Sequence, residues 1–195
     1  MKTAQMEARP APPTDRLVTA EEFAEHPEWG PCELIRGRVV TMTNPKPKHG
    51  VATYQVAFRL GQFVEPRRLG HVFVGDAGVL VERDPDTVRG PDVGFIRAGR
   101  LPGKAALDEY LEVPPDLCIE IVSPTDRWSE ITEKVDMFLG IGVTLVWVVD
   151  PQTQKAHVYR KGREVRVADS SGSLDGEDVL PGFTLTLADV FAALA

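Results

Sequence analysis

Three charged side chains stand at positions where chemistry is a ready explanation for them. Glu120 lies between Ile119 and Ile121, inside Leu117–Val122, the most apolar strand-like run of the chain. A carboxylate there must be paired, hydrogen-bonded, protonated or bound to a metal, because a lone charge in a low-dielectric interior is too costly. A salt bridge to Arg or Lys, or a strand end open to water, would answer it as well as metal binding or catalysis. Asp92 follows Gly90-Pro91 and opens another apolar run, although Pro-Asp before a strand is also ordinary turn chemistry. Lys134 flanks the stripe Ile131, Val135 and Phe138 on the helix expected after Glu120.

Elementary lengths say whether Lys134 can return to Glu120. From Glu120 to Ser123 the chain advances about 10 Å at ~3.3 Å per residue. A helix from Ser123 brings Lys134 back about 16 Å at ~1.5 Å per residue, an overshoot of about 6 Å. Helical side chains lean toward the N-terminus, so a lysine stem recovers much of that gap. The alternative is an exposed i, i+4 pair of Glu130 with Lys134.

The elements that must hold these groups read as follows. Met1 to Arg16, with Pro10, Pro12 and Pro13, is expected to be a flexible arm, and residues 17–195 one domain. Thr19 and Glu22 fit a capping box, with Val18 and Phe23 as its staple, for a short helix ending before Pro27. Glu33 to Met42 reads as a hairpin about Arg36-Gly37. Asn44 to Lys48 is expected to be a loop, and His49 to Val64 a long helix with Val51, Tyr54, Phe58 and nearby Leu60 as its apolar residues. Short strands follow at His71–Val74, Val79–Glu82 and Asp92–Ile96, then an irregular stretch with a helical turn near Ala105–Leu111. Leu117–Val122 suits a strand covered on both faces. Ser123 as N-cap, Pro124 at N1 and Asp126 at N3 would open the second long helix, closed by Gly140 or Gly142. Thr144–Val149 is a further buried strand, Gln154–Val167 an edge hairpin, and Pro181-Gly182 leads to a last strand and a terminal helix. This order implies an α/β fold, a mixed sheet flanked by helices.

The ordered segments resemble a known family. Pro91-Asp92, Glu120-Ile-Val-Ser-Pro124, Lys134 and Gly142-Val-Thr-Leu-Val-Trp-Val-Val-Asp150 resemble the Uma family within the PD-(D/E)XK nuclease superfamily. Glu33-Leu-Ile-Arg-Gly37 and Pro181-Gly-Phe-Thr-Leu-Thr-Leu resemble that family's start and end, so the likeness runs from about Val18 to Ala195. The superfamily's strand lysine, two residues after the glutamate, is Val122 here, and Lys134 on the helix stands in its place.

The resemblance implies a restriction-endonuclease-like core and Mg²⁺-dependent hydrolysis of phosphodiester bonds in nucleic acid, DNA foremost. Asp92 and Glu120 would offer carboxylate oxygens to Mg²⁺, or to Mn²⁺ in its place, with the Ile121 main-chain carbonyl as a third ligand. Lys134 would orient or help deprotonate a water, or neutralise the pentacovalent phosphate. Glu33 would be a further acid near the metal, its competing reading being an exposed residue that opens a hairpin. The resemblance also implies a homodimer whose paired clefts cut both strands.

Other residues and the composition set bounds. Lys46, Lys48 and His49 could contact phosphate, against the reading of a loop and a solvated helix start. Ser123 reads as a cap rather than a nucleophile, Trp147 as core and Asp150 as a turn residue. The 195 residues carry 22 Lys plus Arg against 29 Asp plus Glu, a net charge of −7, which argues against coating nucleic acid through bulk charge. Basic residues cluster locally at 67–68, 97–104 and 160–163, and a nuclease needs some of them near its cleft. Cys32 and Cys118 form neither a zinc motif nor a disulfide framework. No apolar run is long enough to span a membrane, and a cytoplasmic protein is expected. The rival to the enzyme is a non-catalytic interaction or assembly protein that retains the nuclease fold.

Overall fold

The hairpin expected at Arg36-Gly37 forms, and the backbone shows why. A computed structural model describes residues 10–194 of the chain. In it α1 (Ala20–Glu25) precedes β1 (Cys32–Ile35) and β2 (Arg38–Thr41). Between these strands Arg36 and Gly37 take φ values of 49° and 73°, the pair of positive angles that matches strand twist in a two-residue turn. Thr19 caps α1 by accepting the Glu22 N–H at 3.2 Å. Residues 1–9 of the expected arm lie outside the described residues. Nearer the domain, the Thr14 carbonyl accepts a bond from Arg38 and Arg16 pairs with Glu22.

The chain continues through α2 (Pro47–Val64), β3 (Gly70–Val74), β4 (Val79–Glu82), β5 (Thr87–Arg89), β6 (Val93–Arg97) and β7 (Leu117–Ile121). Then come α3 (Trp128–Ile141), β8 (Leu145–Asp150), β9 (Lys155–Tyr159), β10 (Arg166–Asp169), β11 (Ser173–Asp175), β12 (Thr184–Thr186) and α4 (Leu187–Ala192). Among the described residues six strands form a mixed sheet in the order β10-β9-β8-β7-β6-β3. Within it β7 and β8 run parallel, joined by α3 as a crossover, and the other neighbours are antiparallel. A second sheet, β2-β1-β5-β4, and the β11-β12 ribbon complete the strands.

Alternation along β7 sorts its side chains between two covered faces. Leu117, Ile119 and Ile121 pack with Ala52, Val56, Leu60 and Val64 of α2. Cys118 packs with Ile131, Val135 and Phe138 of α3. Each such large side chain, once buried, contributes about 1.5–3 kcal/mol. Glu120 has the parity of Cys118 and therefore emerges on the α3 side.

Three expectations are corrected here. The face of α2 turned to the sheet is Ala52–Val56–Leu60–Val64, whereas Tyr54 and Phe58 point outward, 59% and 44% exposed, with rings 5.6 Å apart. Both stripes have helical spacing, and the slimmer one, with Ala52, lets the helix lie close to the strands. The helix also starts at Pro47, inside the expected loop. In the third case Ser123 does not cap α3. The Asp126 carboxylate accepts the Ser123 N–H at 2.8 Å while the Asp126 N–H reaches the Ser123 carbonyl at 3.1 Å. That turn closes on itself, and α3 begins only at Trp128. Gly142 ends α3 in the left-handed conformation, φ 105°. Strands β5 and β11 were not expected, and the helical turn covers only Lys104–Leu107. No helix among the described residues is long and apolar enough to cross a membrane.

Candidate active site

The late start of α3 removes the overshoot in the distance arithmetic. Lys134 lies six residues into the helix, about 9 Å along its axis, roughly the length by which the chain had advanced. Its Nζ donates to Glu120 Oε2 at 3.0 Å and lies 3.4 Å from Glu33 Oε1. The surface pair with Glu130 is thereby replaced by a buried contact. Glu33 is itself buried, not an exposed hairpin residue, and its Oε2 accepts from Arg89 Nε at 2.8 Å.

Asp92 enters the same place from the end of β6. Val93 is opposite Ile119 in the antiparallel ladder, which sets Asp92 beside Glu120. Where the ladder stops, Asp92 Oδ2 accepts the Ile121 N–H at 2.6 Å, so a side chain takes over a strand's hydrogen bond. Asp92 Oδ1 faces His49 Nε2 at 3.2 Å. His49, in the first turn of α2, has a largely buried side chain and is not the solvated helix start weighed above. Lys46 and Lys48 on either side of Pro47 are exposed.

Two residues of the cluster carried no local signal. Arg89 sits on a three-residue strand and reads as an ordinary basic residue. Asp76, in the β3–β4 connection, reads as turn chemistry, and it does take a positive φ of 57°. Gly90 packs against the Asp76 backbone so closely that a Cβ would lie 2.2 Å from its carbonyl carbon. That contact ties the Asp76 loop to the approach of Asp92.

The electrostatics follow from burial and these neighbours. Burial, then Asp92 and Glu33, push Glu120 up to about 8 against the pull of Lys134. Burial works against charge on Lys134, but Glu120, Glu33 and Asp92 outweigh it and hold the ammonium charged. Burial also opposes charge on His49, and Asp92 with Asp126 and Asp76 reverses the balance and raises it. Asp76 is raised by burial and by Asp92. Fully ionised, the carboxylates of Glu33, Asp76, Asp92 and Glu120 exceed the cations Arg89, Lys134 and His49 by one charge. Glu120 Oε1 and Glu33 Oε1 are both buried and have no hydrogen-bond partner.

These are features that a divalent cation would complete: two unpartnered buried carboxylate oxygens, hard oxygen donors, and an excess of negative charge. Among the described residues no three His, Cys, Asp or Glu side chains converge on a ready-made metal cage.

Two basic clusters whose place relative to the cleft the sequence leaves open have arginines engaged in ion pairs elsewhere. Arg97 and Arg100 lie 3.6 and 2.9 Å from Asp116, which precedes β7 at the end opposite Glu120. Arg160 pairs with Glu177 and Asp178, and Arg163 with Glu177. The Asp150 carboxylate accepts the Gln152 and Thr153 N–H groups, as a turn residue does. Trp147 is fully buried.

A family model named Uma2, described as "Putative restriction endonuclease", matches residues 20–188, a span that contains Glu33, Asp92, Glu120 and Lys134. A crystal structure described as "a putative nuclease belonging to DUF820", from Anabaena variabilis ATCC 29413, aligns with a TM-score of 0.79. The two are 24% identical, and the alignment covers 91% of this chain and 99% of the other. That likeness speaks for the fold, which is α/β and restriction-endonuclease-like. No curated protein matches the sequence.

Proposed function

This chain belongs to the Uma2 family, and from that premise we propose that it is a Mg²⁺-dependent endonuclease that hydrolyses phosphodiester bonds in DNA. The observation that carries the reading is Glu120. It is largely buried in the sheet beside Asp92, with one oxygen on Lys134 at 3.0 Å and the other without a partner. A carboxylate kept only to pair with a lysine is ordinarily satisfied at both oxygens, since an unmade bond in the interior is costly.

Asp92 and Glu120, with the Ile121 carbonyl, would hold Mg²⁺ or Mn²⁺. When bound, the ion supplies positive charge that activates water and offsets the charge gathering on the scissile phosphate. Lys134, kept charged by its three carboxylate neighbours, donates hydrogen bonds to the phosphate and neutralises it rather than removing a proton from water. His49 keeps Asp92 oriented through the 3.2 Å contact instead of binding phosphate itself. Lys46 and Lys48, exposed at the opening of α2, steer the phosphate backbone toward the cleft. A homodimer would present two such clefts to the two strands of a duplex, which sedimentation of the protein with and without DNA would test.

The reading is tested by calorimetric titration of Mg²⁺ and Mn²⁺ into wild type and Glu120→Ala, with cleavage of supercoiled and single-stranded DNA measured on both. Metal binding and cutting in wild type that both vanish in the variant are expected. A wild type that neither binds the ions nor cuts overturns the nuclease and favours the interaction protein, a reading to which the engagement of Arg97, Arg100 and Arg160 in ion pairs lends weight.

A further inference from the structure

Arg89 touches two elements of the site at once. Its Nε donates to Glu33 Oε2 at 2.8 Å, and its Nη1 lies 3.6 Å from the sulfur of Met137. Met137 is three residues past Lys134 on α3, so Arg89 meets the helix that carries the lysine. It is held from behind as well, because β5 pairs with β1 at Val88 and Leu34, the residues next to Arg89 and Glu33. Arg89 is 12% exposed and Glu33 8%, so neither moves freely in water.

Glu33 thus stands between two cations. Arg89 takes Oε2, and Oε1 faces the Lys134 ammonium at 3.4 Å. Glu120 shares that ammonium: its Oε2 accepts from Lys134 at 3.0 Å, and its Oε1, like Glu33 Oε1, has no hydrogen-bond partner. Resting on the nuclease reading, we infer that Arg89 and Glu33 form a brace that positions Lys134, and that Glu33 acts on the reaction through the lysine. The brace comes from the four-stranded sheet and the lysine from the helix against the six-stranded one, so the contact also sets how the two sheets meet at the cleft. A carboxylate anchored by a guanidinium fixes the direction from which the ammonium beside it can approach a phosphate.

The brace and the ligand roles separate in measurement. In Glu33→Gln and Arg89→Gln, kcat for DNA cleavage falls roughly 10–100-fold, as for groups acting through a catalytic neighbour, while KM and the Mn²⁺ Kd measured by calorimetry stay within about twofold. Arg89→Lys, which keeps a cation but loses the planar fork, recovers part of kcat. The second readout is the ¹⁵N spectrum of the lysine ammonium groups, in which Lys134 is assigned by its loss in Lys134→Met. A held, slowly exchanging Lys134 signal in wild type should broaden away in Arg89→Gln. Weakening of Mn²⁺ binding by about tenfold or more in Glu33→Gln makes Glu33 a ligand and overturns the inference. So does a Lys134 signal that Arg89→Gln leaves unchanged. If Arg89→Gln fails to fold, Glu33→Gln and Arg89→Lys carry the same two readouts. Should wild type neither bind Mn²⁺ nor cut, the nuclease reading falls, and the ammonium signal alone still decides the brace.

Discussion

Asp86 and Glu120 are both carboxylates inside the protein, and their surroundings treat them in opposite ways. Asp86, 8% exposed between α1 and β5, accepts the Ala20 N–H at 2.7 Å and a guanidinium N–H of Arg83 at 3.1 Å. Burial alone would raise it, but these bonds, with that from the Asp84 N–H, hold it below the usual carboxylate range. Glu120 has one bond and one idle oxygen, and burial with neighbouring carboxylates pushes it up to about 8. Asp86 fastens a helix to a sheet. Glu120 is maintained at a cost to the fold, and a cost of that kind, beside a second carboxylate and a fixed ammonium, is the mark of a site.

The sharpest way to break the contrast is to exchange consequences. Glu120→Gln should lower DNA cleavage by about 10²–10³-fold or more, whereas Asp86→Ala leaves the rate per folded molecule unchanged; initial rates at saturating Mg²⁺ decide it. Stability should run the other way. Asp86→Ala strands the Ala20 N–H and should lose about 1–3 kcal/mol in urea unfolding, while Glu120→Gln loses none in metal-free buffer.

The pH dependence sharpens the same contrast. A carboxyl raised in the folded state favours folding when protonated, so the contribution of Glu120 to stability falls as pH climbs from its unfolded value near 4.5 through about 8. Wild type should therefore lose stability relative to Glu120→Gln between those limits, and added Mg²⁺ should restore part of it. Asp86, being lowered, stabilises above its unfolded value near 3.8, and that stability drains as pH falls below it. Urea titrations of wild type and both variants across this range test both signs. The smallest effect concerns the basic residues: Lys48→Ala should weaken DNA binding a few-fold and reduce the salt slope by about 1, while Arg100→Ala, whose partner is Asp116, changes neither.

Much of this was legible in the chain and some could not be. Asp92, Glu120 and Lys134 drew notice because a charge inside or beside an apolar run is a local anomaly, visible without knowing what lies across from it. The hairpin at Arg36-Gly37 and the βαβ unit around α3 follow from turn chemistry and from apolar runs of the right length, which are also local. The face of α2 was misread because Val51–Tyr54–Phe58 and Ala52–Val56–Leu60 both repeat every three or four residues. Periodicity names a stripe, and only the partner sheet chooses between two. Ser123 and Asp126 make a turn closed on itself, and the chain enters α3 only at Trp128, so the capping role expected of Ser123 has no helix to serve.

Residue types and spacing by themselves determined most of the elements, their order along the chain and the charged positions that needed an explanation. Tertiary structure decided who answers those charges. Glu33 and Arg89 are 56 residues apart and meet because β1 and β5 share a ladder, and His49 reaches Asp92 only because α2 lies across the sheet. Local propensities act over a few residues, whereas the energy of a buried charge depends on every group within a few ångströms. Those groups are chosen by packing.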